Sequence, residues 1–400
     1  MTRSVDPLRW RSEFPILATC TYLVSHSLGA MPNRTAASLQ EFAATWASRG
    51  VRAWHEGWWD LGRATGNLLA PVLGVTPDTI SMHQNVAATL AIVASCYRYD
   101  GRRRRIVMSE LEFPSNIYLF RGFERYGAEV VIVPAADGVR VDTERLLEAI
   151  DERTVLVPFS YVLFKSAFIQ DAAAIVARAH ATGAHVVADV YQAAGTVPLD
   201  LAGLGVDYAV GGSVKWLCGG PGAGYLYVRP DLAPRLTPAM TGWAAHARPF
   251  AFEADTIEYA AAPERFQTGT PNVPALYSAR EGYRLVGEVG VEAIRAHSLR
   301  LTRRMLDHAA RRGYAVRTPL TDAERGGTVT FDVPAADRVA ARLIEHDVII
   351  DARPGAGIRM APHFYTTEAE VDRALDVLDA LVTEQVVTAT GPGNADRPGP

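Results

Sequence analysis

The sequence predicts an α/β fold, with a large domain on a mostly parallel, mixed sheet followed by a small C-terminal α+β domain. Three observations predict it. Between about residues 60 and 230, short β-branched runs take turns with alanine-rich helical patterns, the rhythm of a sheet covered by helices on both faces. After about residue 290 the helices lengthen and the strands between them become few. No run approaches the roughly 20 apolar residues that span a bilayer, so both parts are expected to fold in water, without a membrane.

The elements follow in order. Candidate strands are "RIVMSE" (105–110), "EVVIVP" (129–134), "TVLVPFS" (154–160), "HVVAD" (185–189), "DYAVGGS" (207–213) and "GYLYV" (224–228), each a short run rich in branched or aromatic residues. Helices are expected at 142–151 and 171–183; in the second, Ala172, Ile175, Val176 and Ala179 recur at helical spacing before the stop at Gly183. The small domain reads as a helix at 290–312, a strand at 327–333, a helix at 335–346, strands at 348–351 and 357–362, and a closing helix at 367–384. The expected organisation is an N-terminal segment 1–20, a large domain 21–285, a small domain 286–385 and a disordered Gly- and Pro-rich tail 386–400.

Composition narrows the function. Of 400 residues 21% are charged and 48% hydrophobic, and the net charge of −4 offers no platform for nucleic acid. The run Arg102–Arg105 reads as a solvated turn before a strand. Cys20, Cys96 and Cys218 have neither CxxC spacing nor an even count, so no disulfide framework or metal site is expected. A cytoplasmic setting fits, since "MTRSVDPLRWRSEF" has no apolar core of signal-peptide length.

In open α/β sheets, ligands collect outside the carboxyl ends of the strands. Two such ends carry chemistry here: "HVVAD" ends in Asp189, and "DYAVGGS" runs into Lys215 within "GGSVKWLCGGPGAG" (211–224). A self-satisfied buried ion pair is one reading. The glycines around Lys215 favour another, a desolvated amine with room for an aldehyde. Pyridoxal phosphate needs such a lysine, a carboxylate for its ring nitrogen, an aromatic face and amides for its phosphate. Asp189 suits the nitrogen. Phe113 in "EFPSN" suits the ring face or else the core, and the amides of Asn85, Val86 and Ala87 suit the phosphate at the start of a helix.

The stretch 188–228 resembles the core of fold-type I, class V pyridoxal-phosphate enzymes, the superfamily of kynureninase, cysteine desulfurases and isopenicillin N epimerase-like proteins. The likeness extends from "YLVSHSLGAMP" (22–32) through "EFPSN", "TGW" (241–243) and "TGTPN" (268–272) to "IRMAPHFYTT" (358–367). It implies Lys215 as the Schiff-base lysine, Asp189 as partner of the pyridine nitrogen, and Gln192 near the phenolic oxygen. It also implies Ser213 and Trp243 at the phosphate, Arg359 on the substrate α-carboxylate, and Thr270 donated by a second subunit, hence a homodimer with shared active sites. His26 and Tyr191 are further polar candidates beside the cofactor, His26 also toward the substrate.

The departures bear on the reaction. No cysteine follows Cys218, so the mobile-loop cysteine of the familiar desulfurases is missing. Against kynureninase, "GNSLG" has become "SHSLG", the asparagine of "YLNGGPG" is Cys218, the tyrosine before the lysine is Val214, and "NYKTG" reads "LFKSAF" (163–168). The expected activity is that of a lyase on an L-amino acid with a β-leaving group, foremost C–S elimination of a cysteine S-conjugate. Kynureninase-type hydrolysis, oxidative decarboxylation, transamination and epimerisation are the alternatives, and a non-enzymatic binder is the alternative of a different class. Cys218 reads as a packing residue rather than a nucleophile.

Overall fold

The computed structural model describes residues 6–390, with side chains as far as Glu384. The chain opens with helix α1 (Pro7–Arg11), strand β1 (Thr21–Tyr22) and helices α2 (Asn33–Arg49) and α3 (Leu61–Leu73). The large sheet is built from β2 (Ile80–His83), β3 (Arg105–Ser109), β4 (Glu129–Val133), β5 (Thr154–Ser160), β6 (His185–Asp189), β7 (Tyr208–Gly212) and β8 (Gly224–Val228). Their order is β2-β8-β7-β6-β5-β3-β4, and β8 alone runs against its neighbours.

Alternation along the strands sends successive side chains to opposite faces. Val107, Val157, Phe159, Val186 and Ala188 join the core that contains α3 and α7 (Ala172–Ala181). Ile106, Met108, Leu156 and Val187 join the one that contains α4 (Val86–Ser95) and α5 (Pro114–Gly122). Both faces are therefore dry, which is why these strands read as unbroken apolar runs. Between them in sequence lies α6 (Thr143–Ala149), and α8 (Val273–Val289) closes the large domain.

The small domain comprises α9 (Val291–Arg312), β9 (Ala315–Val316), β10 (Val329–Asp332), α10 (Ala336–Glu345), β11 (Val348–Ile349), β12 (Asp351–Arg353), β13 (Gly357–Met360) and α11 (Glu368–Thr390). Four of its strands form an antiparallel sheet in the order β12-β13-β10-β9. The fifth, β11, pairs in parallel with β1, and Leu23 is buried in the small-domain core. The beginning of the chain is thus stitched to its end.

Several boundaries differ from those expected. Strand β2 was not anticipated, because "ISMH" is short and ends in polar character. The expected domain boundary at 285/286 falls inside α8, and the helix itself breaks at Gly290, whose φ of +86° favours glycine. The run 348–351 divides between β11 and β12, which serve different sheets. Helix α11 continues through 386–390, formerly assigned to a tail, while 391–400 and 1–5 lie outside the described residues. Among the described residues no helix is long and apolar enough to cross a membrane.

One close approach prepares the site. Gly224 begins β8 opposite His83, and a Cβ there would meet the backbone of Asn85 at 2.9 Å. Glycine lets the start of α4 rest directly on the sheet. Gly224→Ala is expected to push that helix start away and destabilise the protein by about 1–3 kcal/mol, read as a lower midpoint in urea denaturation; an unchanged midpoint would contradict the tight approach.

Candidate active site

A cavity of about 420 Å³ opens at the carboxyl ends of β5, β6 and β7. The parallel register sets Asp189 beside Ser160, each the last residue of its strand. Asp189 is buried, and its two oxygens accept from the Tyr191 amide at 2.9 Å and from Asn116 Nδ2 at 2.8 Å. Burial pushes its pKa up, and these bonds together with Lys215 oppose the rise. Its partners are neutral donors, so the reading of a self-satisfied ion pair with Lys215 does not hold.

Lys215 follows β7 on a tightly pinned turn. Gly29 N–H donates to the Val214 carbonyl at 2.8 Å, His363 Nε2 to the Trp216 carbonyl at 2.7 Å, and Cys218 N–H to the carbonyl of Lys215 itself at 3.0 Å. The amine Nζ lies 4.2 Å from the Tyr191 ring centroid and 5.7 Å from that of Phe113. Desolvation lowers its pKa to about 8; Asp189 pulls upward, while Arg359 and Arg353 push further down. Such a lysine has a substantial neutral fraction near neutrality, as an aldehyde-binding amine requires.

On the opposite wall, Asn85 caps α4 by accepting from Ala88 N–H at 2.9 Å. The amides of Val86 and Ala87 precede any intrahelical partner and are available to an anion. Phe113, at the start of α5, is 42% exposed and meets Phe164 edge-on with centroids 5.2 Å apart. Gln192 lines the cavity with its amide held at both ends: Nε2 donates to the His26 carbonyl and Oε1 accepts from Trp216 Nε1, each at 3.0 Å.

Five expected residues are not on this wall. His26 is buried behind it, with Nε2 on Asp351 Oδ1 at 3.0 Å and a pKa lowered to about 4, chiefly by burial. Ser213 donates to the Ala223 carbonyl at 2.7 Å and meets the Tyr283 hydroxyl at 2.6 Å, which occupies its proton. Arg359 grips Asp351 through Nε and Nη2, at 2.8 and 2.6 Å, and the Phe164 carbonyl through Nη1 at 2.6 Å. Trp243 stacks among Trp59, Phe250 and Phe252 on the surface. Thr270 is exposed at a separate recess of about 520 Å³.

Sequence reasoning missed three residues here. Asn116 ends the motif "EFPSN" and orients Asp189. Ser160 ends an otherwise apolar strand, the same signal that singled out Asp189. Its Oγ donates to Glu112, a buried acid whose pKa burial raises to about 8. Cys218 is buried at φ +52°, and desolvation pushes its thiol up to about 12, so it is a packed thiol rather than a nucleophile.

A buried carboxylate held by neutral donors, a lysine of lowered pKa between aromatic rings, and free helix amides fit the ring nitrogen, aldehyde and phosphate of pyridoxal phosphate. Solved structures share the fold: a cysteine desulfurase from Thermococcus onnurineus NA1 at TM-score 0.85 and 21% identity, covering 96% of this chain and all of that one. The cystine C–S lyase C-DES, in complex with cysteine persulfide, superimposes at TM-score 0.81 and 23% identity over 91% of this chain and 98% of its own. The fold is that of the fold-type I pyridoxal-phosphate enzymes.

Among curated proteins, an uncharacterised aminotransferase of Bacillus subtilis, YcbU, is 30% identical over 94% of this chain and 98% of its own. The kynureninase of Bacillus anthracis is 30% identical over 94% and 91%. The family model for aminotransferase class-V matches residues 21–373, and the chain belongs to that family. Its cofactor is pyridoxal phosphate.

The electrostatics give a pH signature. Cofactor-free protein should react with pyridoxal phosphate at a rate that rises with pH and is half-maximal near 8, where the Lys215 amine is half neutral. Asp189 raises that pKa, so Asp189→Asn should move the midpoint downward, as followed by stopped-flow absorbance. A midpoint near 10 in the parent protein would contradict the lysine's environment.

Proposed function

We propose that the protein is a pyridoxal-phosphate-dependent lyase that breaks the Cβ–S bond of an L-cysteine S-conjugate. With one water consumed, the products are a thiol, ammonia and pyruvate. The observation that carries this reading is the pairing of a base and an acid in one cavity. Lys215, with its pKa lowered to about 8, lies 4.2 Å from the ring of Tyr191, whose hydroxyl burial holds at about 12 and therefore protonated.

The cofactor, when bound, makes the Cα–H acidic by drawing the electron pair into its ring. Asp189 would keep the ring nitrogen protonated, the amides of Val86 and Ala87 would hold the phosphate, and Phe113 would offer its ring as an aromatic face. Lys215 as a free amine takes the Cα proton, and the Tyr191 hydroxyl protonates the departing sulfur. No cysteine lines the cavity among the described residues, so the sulfur leaves as a free thiol rather than passing to a protein thiol. The C–S lyase named among the structural neighbours supports the choice at the level of fold alone.

Relatives named kynureninase favour a second reading, hydrolysis of a Cβ–Cγ bond. Assaying the holoenzyme on cysteine S-conjugates, L-cysteine and L-kynurenine separates the two. Pyruvate with thiol is expected from the conjugates, and anthranilate from kynurenine alone would overturn the proposal. Lys215→Ala should abolish both the turnover and the visible band of lysine-bound cofactor.

We further propose a homodimer. Trp243, Phe250 and Phe252 are 39, 51 and 74% exposed, a larger aromatic surface than a free monomer normally shows, and Trp243 and Thr270 lie away from their own chain's cavity. A second copy would cover the surface and bring both residues to the neighbouring site. Light scattering should give twice the chain mass. Mixed dimers of Lys215→Ala and Trp243→Ala chains should regain activity through one intact site, whereas a monomeric active enzyme would refute the arrangement.

A further inference from the structure

Arg359, expected to meet the substrate carboxylate, already holds a carboxylate of its own chain. Asp351 and Arg359 face each other across the β12–β13 pair, and the contact is side-on through Nε and Nη2. The same carboxylate receives His26 Nε2 at 3.0 Å and forms an ion pair with Arg353 Nη2 at 2.9 Å. Burial disfavours its charge, but the bonds from His26 and Arg359 outweigh that and keep it ionised. A guanidinium carries five N–H donors. Three are spent here, two on Asp351 and one on the Phe164 carbonyl, which leaves one hydrogen on each Nη without a partner.

Arg359 lies directly behind the cavity wall, since Phe164, whose carbonyl it binds, lines the cavity and touches Phe113. His26 reaches the same wall through Gln192. We propose that Asp351 is a positioning and charge-selecting residue: it fixes Arg359 by one edge so that the two remaining Nη hydrogens meet the substrate carboxylate, and it limits the site to substrates bearing a single carboxylate. The charge count gives the second half. Within this cluster Arg353 and Arg359 bring two positive charges, Asp351 removes one, and His26 is neutral, so one net positive charge remains for one carboxylate. Lys165, whose Nζ lies 5.7 Å from the Phe164 ring centroid, stands outside the cluster. A second carboxylate on the substrate would meet Asp351 instead of a spare cation.

The inference rests on the amino-acid reading above, and the test separates the two. Purified protein is loaded with pyridoxal phosphate, and L-alanine and L-aspartate are titrated against the visible band of the lysine-bound cofactor. If the band never forms, or neither amino acid perturbs it, the amino-acid reading fails and this inference with it. With the band present, the parent protein should bind L-alanine at least about tenfold more tightly than L-aspartate, tenfold being about 1.4 kcal/mol. In Asp351→Asn, L-alanine should bind about tenfold more weakly, turnover of a cysteine S-conjugate should lose in KM rather than kcat, and the preference for one carboxylate should collapse. Asp351→Glu, which restores the charge, should recover the preference. Equal binding of the two amino acids by the parent protein would overturn the inference even if Asp351→Asn fails to fold. So would an Asp351→Asn protein that keeps the parent's preference.

Discussion

The site depends on keeping Asp189 and Lys215 close, largely out of water and yet apart. Two opposite charges at neighbouring strand ends would ordinarily collapse into an ion pair, which would raise the lysine pKa and occupy its amine. Asn116 and the Tyr191 amide prevent this by satisfying Asp189 with neutral donors. Desolvation then dominates the lysine, with Asp189 opposing it and Arg359 and Arg353 pushing the same way. The resulting fall from 10.5 to about 8 corresponds to on the order of 3 kcal/mol between its protonation states. Removing one partner of a buried charged pair costs about 3–5 kcal/mol; the neutral donors leave Asp189 satisfied without the lysine.

That arrangement is held by the seam between the domains as much as by the sheet. Strand β1 pairs with β11, and Leu23 exchanges backbone hydrogen bonds with Ile349 and Ala361 of the small domain. A few residues later Gly29 binds the turn before Lys215, and from the other side His363 binds the carbonyl just after it. The lysine turn is therefore gripped by both ends of the chain. The Asp351 cluster draws on the same seam, with His26 from the beginning of the chain and Asp351 and Arg359 from the small-domain sheet.

Much of this was legible in the sequence, for physical reasons. Strands buried on both faces announce themselves as apolar runs, and a charged residue closing such a run belongs at the strand's carboxyl end, which made Asp189 readable. Lys215 was readable because the glycines around it admit backbone but no bulk. Strand β2 was not, since a run of four with mixed polarity carries no periodicity. The engagement of one edge of Arg359 was hidden because nothing in one dimension says that Asp351, eight positions earlier, lies across a hairpin from it. Ser213 failed for a similar reason: a serine beside a lysine looks available until Tyr283, 70 residues away, is seen on its hydroxyl. Trp243 and Thr270 lie away from this chain's cavity, and their expected roles depend on the proposed second copy.

The substitutions nearest Lys215 weigh on the choice of reaction. Cys218 occupies a left-handed conformation at φ +52°, which asparagine or glycine adopts more readily, so the turn keeps its shape with a less suited residue and gains an apolar thiol in its core. Tyr191, Phe113, Phe164 and Val162 make the cavity largely aromatic and aliphatic. Hydrolysis within it would need polar groups to orient an attacking water; Ser160 is engaged by Glu112, Asn116 Nδ2 by Asp189, and Gln192 by Trp216 and the His26 carbonyl, which leaves Ser115 and Asn116 Oδ1 for that task. Elimination makes no such demand, because water enters only after the Cβ bond has broken. On the proposed reading, Lys215 and the Tyr191 phenol would act on a substrate whose leaving group needs no water positioned on this wall.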